Sequence, residues 1–496
     1  MQKLSFLSFF IFYVLFTLQV QGQTKHKSQI DSLLEVCYQR GIFNGNALIL
    51  NQGQYIYSGS KGFTDGSKTH ELNKKSVFDI GSISKEFNAV AIMMLKEKGL
   101  LTLDDKISKY ELGFPDWSNN VTIKNLLQYT SGLPLIDWEN THGDNDIYQN
   151  LKYLKVLEFE PGKGYLYSNN NIFVQRLIIE KVVGKSFNEF LLEDILEPLN
   201  MNNSVIDHQY ANSNFVRGFN SNEVNDHELE LKMSGWVCPS IGDLEIWTTK
   251  LMSNKIISKE SLYSLFEAYS DESQSALGNG KFKNGELISY EHHGSSMNYE
   301  SIVHFNLTDN SSIILMTNSK SLKIGEIREA ITQILNDKDF YIPQKSVYLT
   351  IREKTYNDVD KGIAYYNSLK ESDFSTYNFS DKWELARLSY KLFEMDKNKD
   401  AHKILKLLVS ELPSESEEAL QFLGSRMLNE NQVGKAISIC ELMVSKFPSD
   451  KSYSGLGDAF FKNKEIKEAL NNYNKSLEIN PDNENSKKMI SKIEKM

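Results

Sequence analysis

The length of the chain, 496 residues, is more than one hydrophobic core usually organises, so two or three domains are expected. The composition is that of a globular protein, with 40% hydrophobic and 24% charged residues. A net charge of -10 argues against a nucleic-acid-binding surface. The 3 cysteines and 9 histidines have neither disulfide-framework nor metal-ligand spacing, so we expect no metal site.

The N-terminus has the pattern of a secretory signal peptide. Lys3 is followed by an uncharged apolar stretch from Leu4 to Val20 and then by the small residue Gly22. This order predicts a signal peptide over residues 1–22, cleaved after Gly22, and an exported protein in the periplasm or outside the cell. The alternative is an uncleaved membrane anchor, for which the apolar stretch is at the lower length limit. We expect no membrane span after this segment.

The first part of the remaining chain alternates helical and strand patterns. Residues 28–41 have helical periodicity and end at a glycine, a usual helix terminator. The sequence NALILNQGQYIYSG predicts two short strands around an Asn-Gln-Gly turn. From Val77 the pattern predicts a strand and then a helix over about 82–98, which Gly99 ends.

Further helices and a hairpin follow. Apolar positions at helical spacing predict helices over 122–133, 171–184 and 325–336. SIVHFNL (301–307) and SIILMTN (312–318) predict a hairpin around a Thr-Asp-Asn-Ser turn. Residues 28 to about 340 therefore have strands at both ends and helices between them, which predicts an α+β or α/β domain.

From about residue 348 the strand signals largely stop and an internal repeat begins. Three segments each have a small residue in a first helix, an alanine that opens a second helix, and a closing proline. These residues are Ser389, Gly424 and Gly457; Ala401, Ala436 and Ala469; and Pro413, Pro448 and Pro481. The period of roughly 34 residues resembles the tetratricopeptide repeat, whose two helices need a small residue where they cross. The alternative is a nonrepeating helical bundle.

We expect the repeats to occupy residues 376–496, after a helical connector or capping helices over 341–375. Residues 356–370 could supply a fourth repeat or a cap. Such an array presents a concave helical surface that binds a protein or peptide partner, or it packs against the preceding domain and stabilises it. Both possibilities stay open from the sequence.

The sequence GSISKEFNAVAIMML places Ser82 three positions before Lys85. A serine hydroxyl is a weak nucleophile until a base takes its proton. Residues three apart on a helix share a face, so Lys85 Nζ could reach Ser82 Oγ, and the apolar run would bury the amine and favour its neutral form. At a helix start, the helix dipole would favour an oxyanion at the Ser82 N–H. The motif alone is weak, because Ser58 and Lys61 have the same spacing.

The surroundings of Ser82 make the motif more specific. GNALILNQGQYIYSG, then SVFDIGSISKEFNAVAIMMLKEKGLLTLDDKISKY, then TIKNLLQYTSGLP resemble the serine β-lactamase-related family, which includes class C β-lactamases, D,D-peptidases and esterases. The resemblance covers roughly residues 28–340. It implies the penicillin-binding fold, an antiparallel sheet with a helical subdomain, and Ser82 as nucleophile beside Lys85. It also implies a Tyr-x-Asn on a loop and a Lys- or His-x-Gly on a strand.

The second element has several candidates, because Tyr-x-Asn begins at Tyr148, Tyr167, Tyr210 and Tyr365. The occurrence at Tyr210 follows EPLNMNNS, which resembles a later segment of the family, and we reject it. Tyr167 and Asn169 lie in PGKGYLYSNNNIFVQRLIIE, which resembles the family motif followed by a helix. The resemblance implies that Tyr167 shares the base role with Lys85 and that Asn169 hydrogen-bonds the acyl group. The alternative is a turn tyrosine that packs on a helix.

EHHGSS (291–296) is the candidate for the third element. The resemblance implies that His292 assists Tyr167 in protonating the leaving group, that Gly294 admits a substrate backbone, and that the Ser295 N–H is the second oxyanion donor. β-Lactamases have a lysine in place of His292, and a neutral imidazole attracts a carboxylate less than a fixed ammonium does. The histidine form is more typical of D,D-peptidases and esterases. The alternative is a polar surface stretch.

GWVCPSIGDLEIW (235–247) resembles a further segment of the family, which we interpret as structural. Ser240 is expected to cap a helix, with Asp243 in its first turn. Cys238 is at most a weak candidate for a chemical role.

Together these patterns predict an exported serine hydrolase that acts through an acyl-serine on a peptide, amide or ester, with no metal or organic cofactor. A D,D-peptidase-like activity comes ahead of a β-lactamase-like one, with an esterase close behind. Whether Lys85 or Tyr167 is the main base stays open. The alternative is a penicillin-binding-type sensor or binding protein with little turnover, which recruits a partner through its repeats.

Overall fold

The computed structural model describes residues 24–209, 211–227, 233–270 and 273–495. The predicted signal peptide (1–22) and Tyr210 lie outside these ranges. The chain divides into two compact units, one ending at Pro343 and one beginning at Gln344. Within the described ranges, no helix combines the length and the apolar character needed to cross a membrane.

The first unit is built on a six-stranded antiparallel sheet of order β2-β1-β8-β7-β6-β5. Its strands are β1 (Gly45–Asn51), β2 (Gln54–Lys61), β5 (Asn279–Lys283), β6 (Glu286–Ser296), β7 (Tyr299–Asn306) and β8 (Ser311–Thr317). A separate pair, β3 (Val205–Ile206) and β4 (Val237–Cys238), forms a two-stranded sheet. The sheet therefore joins strands from both ends of the unit.

Helices cover both faces of this sheet. They are α1 (24–39), α2 (Lys85–Glu97), α3 (Ile123–Leu127), α4 (Asp144–Lys152), α5 (Asn170–Val183), α6 (Phe187–Phe190, continued by a π-helical turn over Leu191–Leu196), α7 (Ile241–Met252), α8 (Lys259–Ser264) and α9 (Ile324–Leu335). Leu34 of α1 and Ile331 of α9 share one core with Ile313 of β8. Ile314, which faces the opposite side of β8, belongs to the other core, with α2 and α7.

Helix α2 lies at the centre of the larger core. Its residues from Lys85 to Met93 are all buried, so the helix is enclosed on every side rather than amphipathic. The Phe87 ring stacks on the Trp247 ring of α7 with centroids 3.9 Å apart. The residues that precede this helix are therefore held on a rigid element.

Most of the predicted elements are confirmed, with differences that have local causes. The strands around the Asn-Gln-Gly turn, the second hairpin and the helices near 171–184 and 325–336 are present. The helix expected over 122–133 ends at Leu127, because Tyr129 takes a left-handed backbone conformation with φ of 56°. Strand β5 was not predicted, because its side chains are mostly exposed and lack an apolar pattern.

The second unit consists of helix pairs. Its helices are α10 (Val347–Asn357), α11 (Val359–Ser372), α12 (Lys382–Glu394), α13 (Asn398–Glu411), α14 (Ser416–Asn429), α15 (Val433–Lys446), α16 (Asp450–Lys462), α17 (Ile466–Ile479) and α18 (Glu484–Glu494). Two short strands, β9 (Lys345–Ser346) and β10 (Tyr377–Asn378), pair in parallel. The three predicted repeats correspond to the pairs α12–α13, α14–α15 and α16–α17.

The small residues of the repeats lie where paired helices touch. Ser389 Oγ donates a hydrogen bond to the Ala401 carbonyl at 3.3 Å. A Cβ atom at Gly424 would lie 3.0 Å from Cys440 Sγ, and one at Gly457 would lie 2.6 Å from the Tyr473 ring. The repeat markers are thus explained by close helix packing within each pair.

Replacing Gly457 by alanine tests this packing constraint. The added methyl group would collide with Tyr473, a fully buried residue whose hydroxyl donates to Asp458. We expect Gly457→Ala to lower the free energy of unfolding of the repeat unit by about 1–3 kcal/mol. Gly455→Ala on the same helix, where the nearest atom would lie 3.9 Å away, should raise it by about 0.5–1 kcal/mol.

Urea denaturation of the full chain, followed by circular dichroism in the helical region, measures both variants. Equal shifts of the two variants, in either direction, would contradict the packing explanation.

Candidate active site

Ser82 lies in a short turn that leads into the buried helix. Residues Gly81–Ser84 form a 3-10 turn, and α2 begins at Lys85, so Ser82 precedes the helix instead of lying in its first turn as predicted. Gly81 has φ of +55°, and its N–H donates to Asp79 Oδ1 at 2.7 Å. The other oxygen of Asp79 lies 2.8 Å from His208 Nε2. The buried carboxylate of Asp79 therefore holds the backbone of the turn that carries Ser82.

The same turn packs backbone to backbone against the end of β6. A Cβ at Gly294 would lie 1.9 Å from the Ile80 carbonyl oxygen and 3.0 Å from Ser82 N, and one at Gly81 would lie 2.3 Å from Ser295 N. Strand β5 makes this contact available, because its pairing with β6 reaches only Glu291. The two glycines therefore bring the segments that carry the Ser82 and Ser295 amides together. The nucleophile turn occupies the space that a Cβ of Gly294 would fill, and the role of Gly294 in admitting a substrate backbone stays a prediction.

Lys85 connects Ser82 to Tyr167. Its Nζ lies 3.1 Å from Ser82 Oγ and 2.8 Å from the Tyr167 hydroxyl. The same nitrogen lies 4.1 Å from the centroid of the Tyr167 ring. Lys85 is 3% exposed, and no carboxylate lies within ion-pair distance of it in the described part of the chain. The three side chains form one continuous hydrogen-bonded path for a proton.

Two further tyrosines surround Tyr167. The Tyr129 ring lies 4.5 Å from the Tyr167 ring, and Tyr165 is packed at the edge of Tyr129. Burial raises the pKa of Tyr165 to about 12 and raises the pKa of Tyr129 well above its usual value. Both hydroxyls therefore stay protonated. Neither residue was predicted, although the left-handed conformation of Tyr129 marks it as unusual.

Asn169 stands at the start of α5, on the loop that carries Tyr167. Its neighbours anchor the loop, because Asn170 Nδ2 donates to the Pro134 carbonyl at 2.8 Å and Ser168 Oγ also donates to that oxygen. Asn169 Oδ1 is buried and has no hydrogen-bond partner among the described residues. A buried acceptor without a partner carries a free-energy cost that a bound N–H donor would remove.

The two histidines of β6 have different environments. His292 is 2% exposed, and its Nδ1 lies 2.6 Å from Glu86 Oε1. The side chain of His293 is half exposed, and its Nε2 lies 3.0 Å from Glu300 Oε1. The Ser295 hydroxyl accepts a hydrogen bond from Lys320 Nζ at 2.8 Å. Glu86 and Lys320 were both missed, since partners so distant in the sequence leave no local signal.

The 235–247 segment supports the framework as predicted. The Ser240 hydroxyl accepts from the Asp243 N–H and caps α7. Asp243 Oδ2 in turn accepts from Asn203 N at 2.7 Å and from Ser204 Oγ at 2.8 Å. Burial raises the pKa of the Cys238 thiol well above its usual value, which makes it unreactive. Over the described residues, no group of three or more His, Cys, Asp or Glu side chains is arranged to hold a metal ion.

Gly294→Ala tests the contact between the turn and β6. The new methyl group would force the Ile80 carbonyl away and separate the two amide-bearing segments. We expect labelling of Ser82 by a fluorophosphonate to slow on the order of 10²- to 10³-fold, the loss associated with one oxyanion donor. Gly242→Ala, where no atom lies within 4 Å of the new Cβ, should label at the wild-type rate. An unchanged rate in Gly294→Ala would exclude this role for the contact.

Comparisons with known proteins find matches for both units of the chain. A family model described as Beta-lactamase matches residues 26–334, and one described as Tetratricopeptide repeat matches residues 451–483. "Penicillin-binding protein 4*" of Bacillus subtilis is 34% identical over 191 residues, which are 37% of this chain and 41% of that protein. "Protein flp" of Staphylococcus aureus is 26% identical over 337 residues, which are 63% of this chain and 68% of that protein.

Solved structures show the same fold. The octameric penicillin-binding protein homologue from Pyrococcus abyssi superposes with a TM-score of 0.55 at 22% identity, covering 66% of this chain and 81% of that one. A class C beta-lactamase superposes with a TM-score of 0.54 at 18% identity, covering 64% of this chain and 96% of that one. The likeness to these structures concerns the fold.

Proposed function

Because the chain belongs to the beta-lactamase family, we propose that it is an exported serine hydrolase that cleaves a peptide, amide or ester through an acyl-serine. The observation that carries the proposal is the position of Lys85 Nζ, within hydrogen-bond distance of both Ser82 Oγ and Tyr167 OH. A buried amine between two hydroxyls is suited to taking a proton from one and passing it to the other. Export rests on the pattern of residues 1–22.

In the proposed mechanism Ser82 Oγ attacks the substrate carbonyl while its proton moves to Lys85 or Tyr167. The oxyanion is held by the amides of Ser82 and Ser295, each of which contributes on the order of 10²- to 10³-fold in rate. Asn169 Oδ1 accepts a hydrogen bond from an amide of the acyl group. Tyr167 then protonates the leaving group, and water hydrolyses the acyl-serine to regenerate the hydroxyl.

The surroundings of His292 favour a D,D-peptidase-like or esterase-like activity over a β-lactamase-like one. A lysine in this position would offer a fixed ammonium to a substrate carboxylate. His292 is instead buried, and its Nδ1 faces Glu86. The imidazole therefore attracts an anionic substrate group less strongly than an ammonium does.

A second candidate function is that of a sensor or binding protein with little turnover. The tetratricopeptide match indicates a surface for protein–protein interaction. A cavity of about 280 Å³ opens in the repeat unit, lined by polar side chains of Gln421, Lys451, Asp458 and Asn485 beside Met443. Such a mixed lining suits an extended peptide segment, and a site that deacylates slowly would then report substrate to that partner.

Intact-protein mass spectrometry after exposure to penicillin and, separately, to a fluorophosphonate tests the nucleophile. We expect a covalent adduct that Ser82→Ala abolishes. Ser58→Ala removes the serine of the other Ser-x-x-Lys sequence, on strand β2, and should label normally. Decay of the penicillin adduct within seconds would favour a β-lactamase. A penicillin adduct that persists, together with turnover of peptide or ester substrates, would favour a peptidase or esterase. A penicillin adduct that persists without turnover of such substrates would favour a sensor. Failure of both probes would overturn the hydrolase proposal.

Removing the amine of Lys85 tests the proton path. Lys85→Met retains the buried chain but cannot accept a proton, so we expect the acylation rate of Ser82 to fall on the order of 10²- to 10⁴-fold. Lys61→Met is the matched control, because Lys61 belongs to the other Ser-x-x-Lys sequence and pairs with Asp31 and Glu35. Stopped-flow labelling measures both rates. A Lys85→Met rate close to that of Lys61→Met would assign the base role elsewhere.

A further inference from the structure

A buried carboxylate lies next to the proposed base. Glu86 follows Lys85 on α2 and is 0% exposed. Its oxygens accept hydrogen bonds from the Trp247 Nε1–H of α7 at 2.8 Å and from the Tyr290 hydroxyl of β6, and Oε1 lies 2.6 Å from His292 Nδ1 of β6. Burial and the negative charge of Glu86 raise the pKa of Tyr290 well above its usual value, so that hydroxyl acts as a donor. The carboxylate thus joins the helix of the base to the strand of the oxyanion amide.

No lysine or arginine in the described part of the chain neutralises this carboxylate. Among the described residues, only His292 lies within ion-pair distance of Glu86. Burial of a charged carboxylate is costly, and an apolar side chain or an amide could fill the same space at lower cost. Tyr290 and Trp247 each use their single donor on Glu86. His292 is the one partner that has a second ring nitrogen for another task.

The hydrogen bond to Glu86 determines which ring nitrogen of His292 carries the proton. An ionised carboxylate only accepts, so Nδ1 is the N–H that points to Glu86. In the neutral ring Nε2 then holds a lone pair, on the side of the ring away from Glu86. His292 Nε2 is buried and has no hydrogen-bond partner among the described residues. His292 also lies two positions before Gly294, on the face of β6 that contacts the nucleophile turn.

We propose that Glu86 is a positioning residue, which holds His292 with Nδ1 protonated and Nε2 free as a proton acceptor in the active site. The inference rests on the proposed hydrolase function and adds a residue to it. During acylation the ring accepts the Ser82 proton from Tyr167 and returns it to Tyr167, and in between the negative charge of Glu86 stabilises the imidazolium, as a carboxylate does behind a catalytic histidine in other serine hydrolases. Tyr167 then donates that proton to the leaving group, so the ring ends each cycle neutral.

The direct test is nuclear magnetic resonance of the full chain with ¹⁵N-labelled histidine, at one mildly alkaline pH. His292→Gln identifies the signals of His292 among the 9 histidines. In the wild type we expect a protonated Nδ1 and an unprotonated Nε2. In Glu86→Gln the amide nitrogen in the place of Oε1 can donate to His292 Nδ1 while the amide oxygen, in the place of Oε2, accepts from the Trp247 Nε1–H, so we expect the proton to move to Nε2. An unchanged tautomer in Glu86→Gln would overturn the proposal.

The kinetic test asks whether Glu86 acts through His292. We expect Glu86→Gln to slow acylation of Ser82 by a fluorophosphonate by about 10- to 100-fold at saturation, with the half-saturating concentration unchanged. The double variant Glu86→Gln/His292→Gln should be no slower than His292→Gln alone. If Glu86→Gln lowered the acylation rate by the same factor in the wild type and in His292→Gln, the role of Glu86 would be merely structural.

A matched control is available on the neighbouring strand β7. Glu300 is 2% exposed and pairs with His293, the neighbour of His292 on the opposite face of β6. Glu300→Gln should label at the wild-type rate, and a loss equal to that of Glu86→Gln would count against the proposal. The readouts also separate the two claims. If Ser82 is never labelled but the tautomer changes as expected, the hydrolase proposal fails and the positioning role of Glu86 stands.

Discussion

The site depends on one close backbone contact, between the turn at Gly81–Ser84 and the end of strand β6. Neither segment could approach the other if Gly81 or Gly294 carried a side chain. The contact is also possible only because β5 stops pairing at Glu291, which leaves the last residues of β6 without a strand on that side. The turn at Gly81–Ser84 therefore lies against the part of β6 that β5 leaves unpaired. This backbone packing also fixes the position of the candidate nucleophile, Ser82.

Burial organises the polar groups around this contact. Asp79 holds the Gly81 amide, Lys85 lies between two hydroxyls, and Glu86 receives three donors. A buried polar atom without a partner is costly, so nearly complete pairing keeps such a site in one arrangement. Asn169 Oδ1 and His292 Nε2 are exceptions, and both belong to the motifs that the sequence singled out. Unpaired atoms of this kind are where a substrate or a transferred proton can restore the missing hydrogen bond.

The repeat unit is held together by local contacts that recur along the chain. Each helix pair is held by local contacts, such as that of Gly457 against Tyr473 within α16 and α17. Because every contact recurs at the same interval, the pattern is visible in the sequence. Gly362 on α11 extends it, since a Cβ there would lie 2.2 Å from Thr355 Oγ1 of α10. The helices at 347–372 thus pack by the same small-residue rule as the three repeats, although only their general position was expected.

The sequence by itself determined the elements whose signals are local. Apolar periodicity with glycine ends indicated α5, α9 and the hairpin of β7 and β8, and the spacing of Ser82 and Lys85 indicated a candidate nucleophile with its base. The motif at Tyr167 was found only from its resemblance to a family, because nothing in the spacing links it to Lys85, which it meets at 2.8 Å.

Only the tertiary structure decided which distant groups meet and why. Glu86 looked like an ordinary charged residue in a helix, and its burial against Tyr290, Trp247 and His292 depends on how α2, α7 and β6 pack. The close contact of Gly294 with the turn before Ser82 likewise left no signal in the sequence. Local propensity follows from neighbouring residues and can be read along the chain. The burial of a side chain and the identity of its hydrogen-bond partners follow from long-range packing, which no short stretch of sequence specifies.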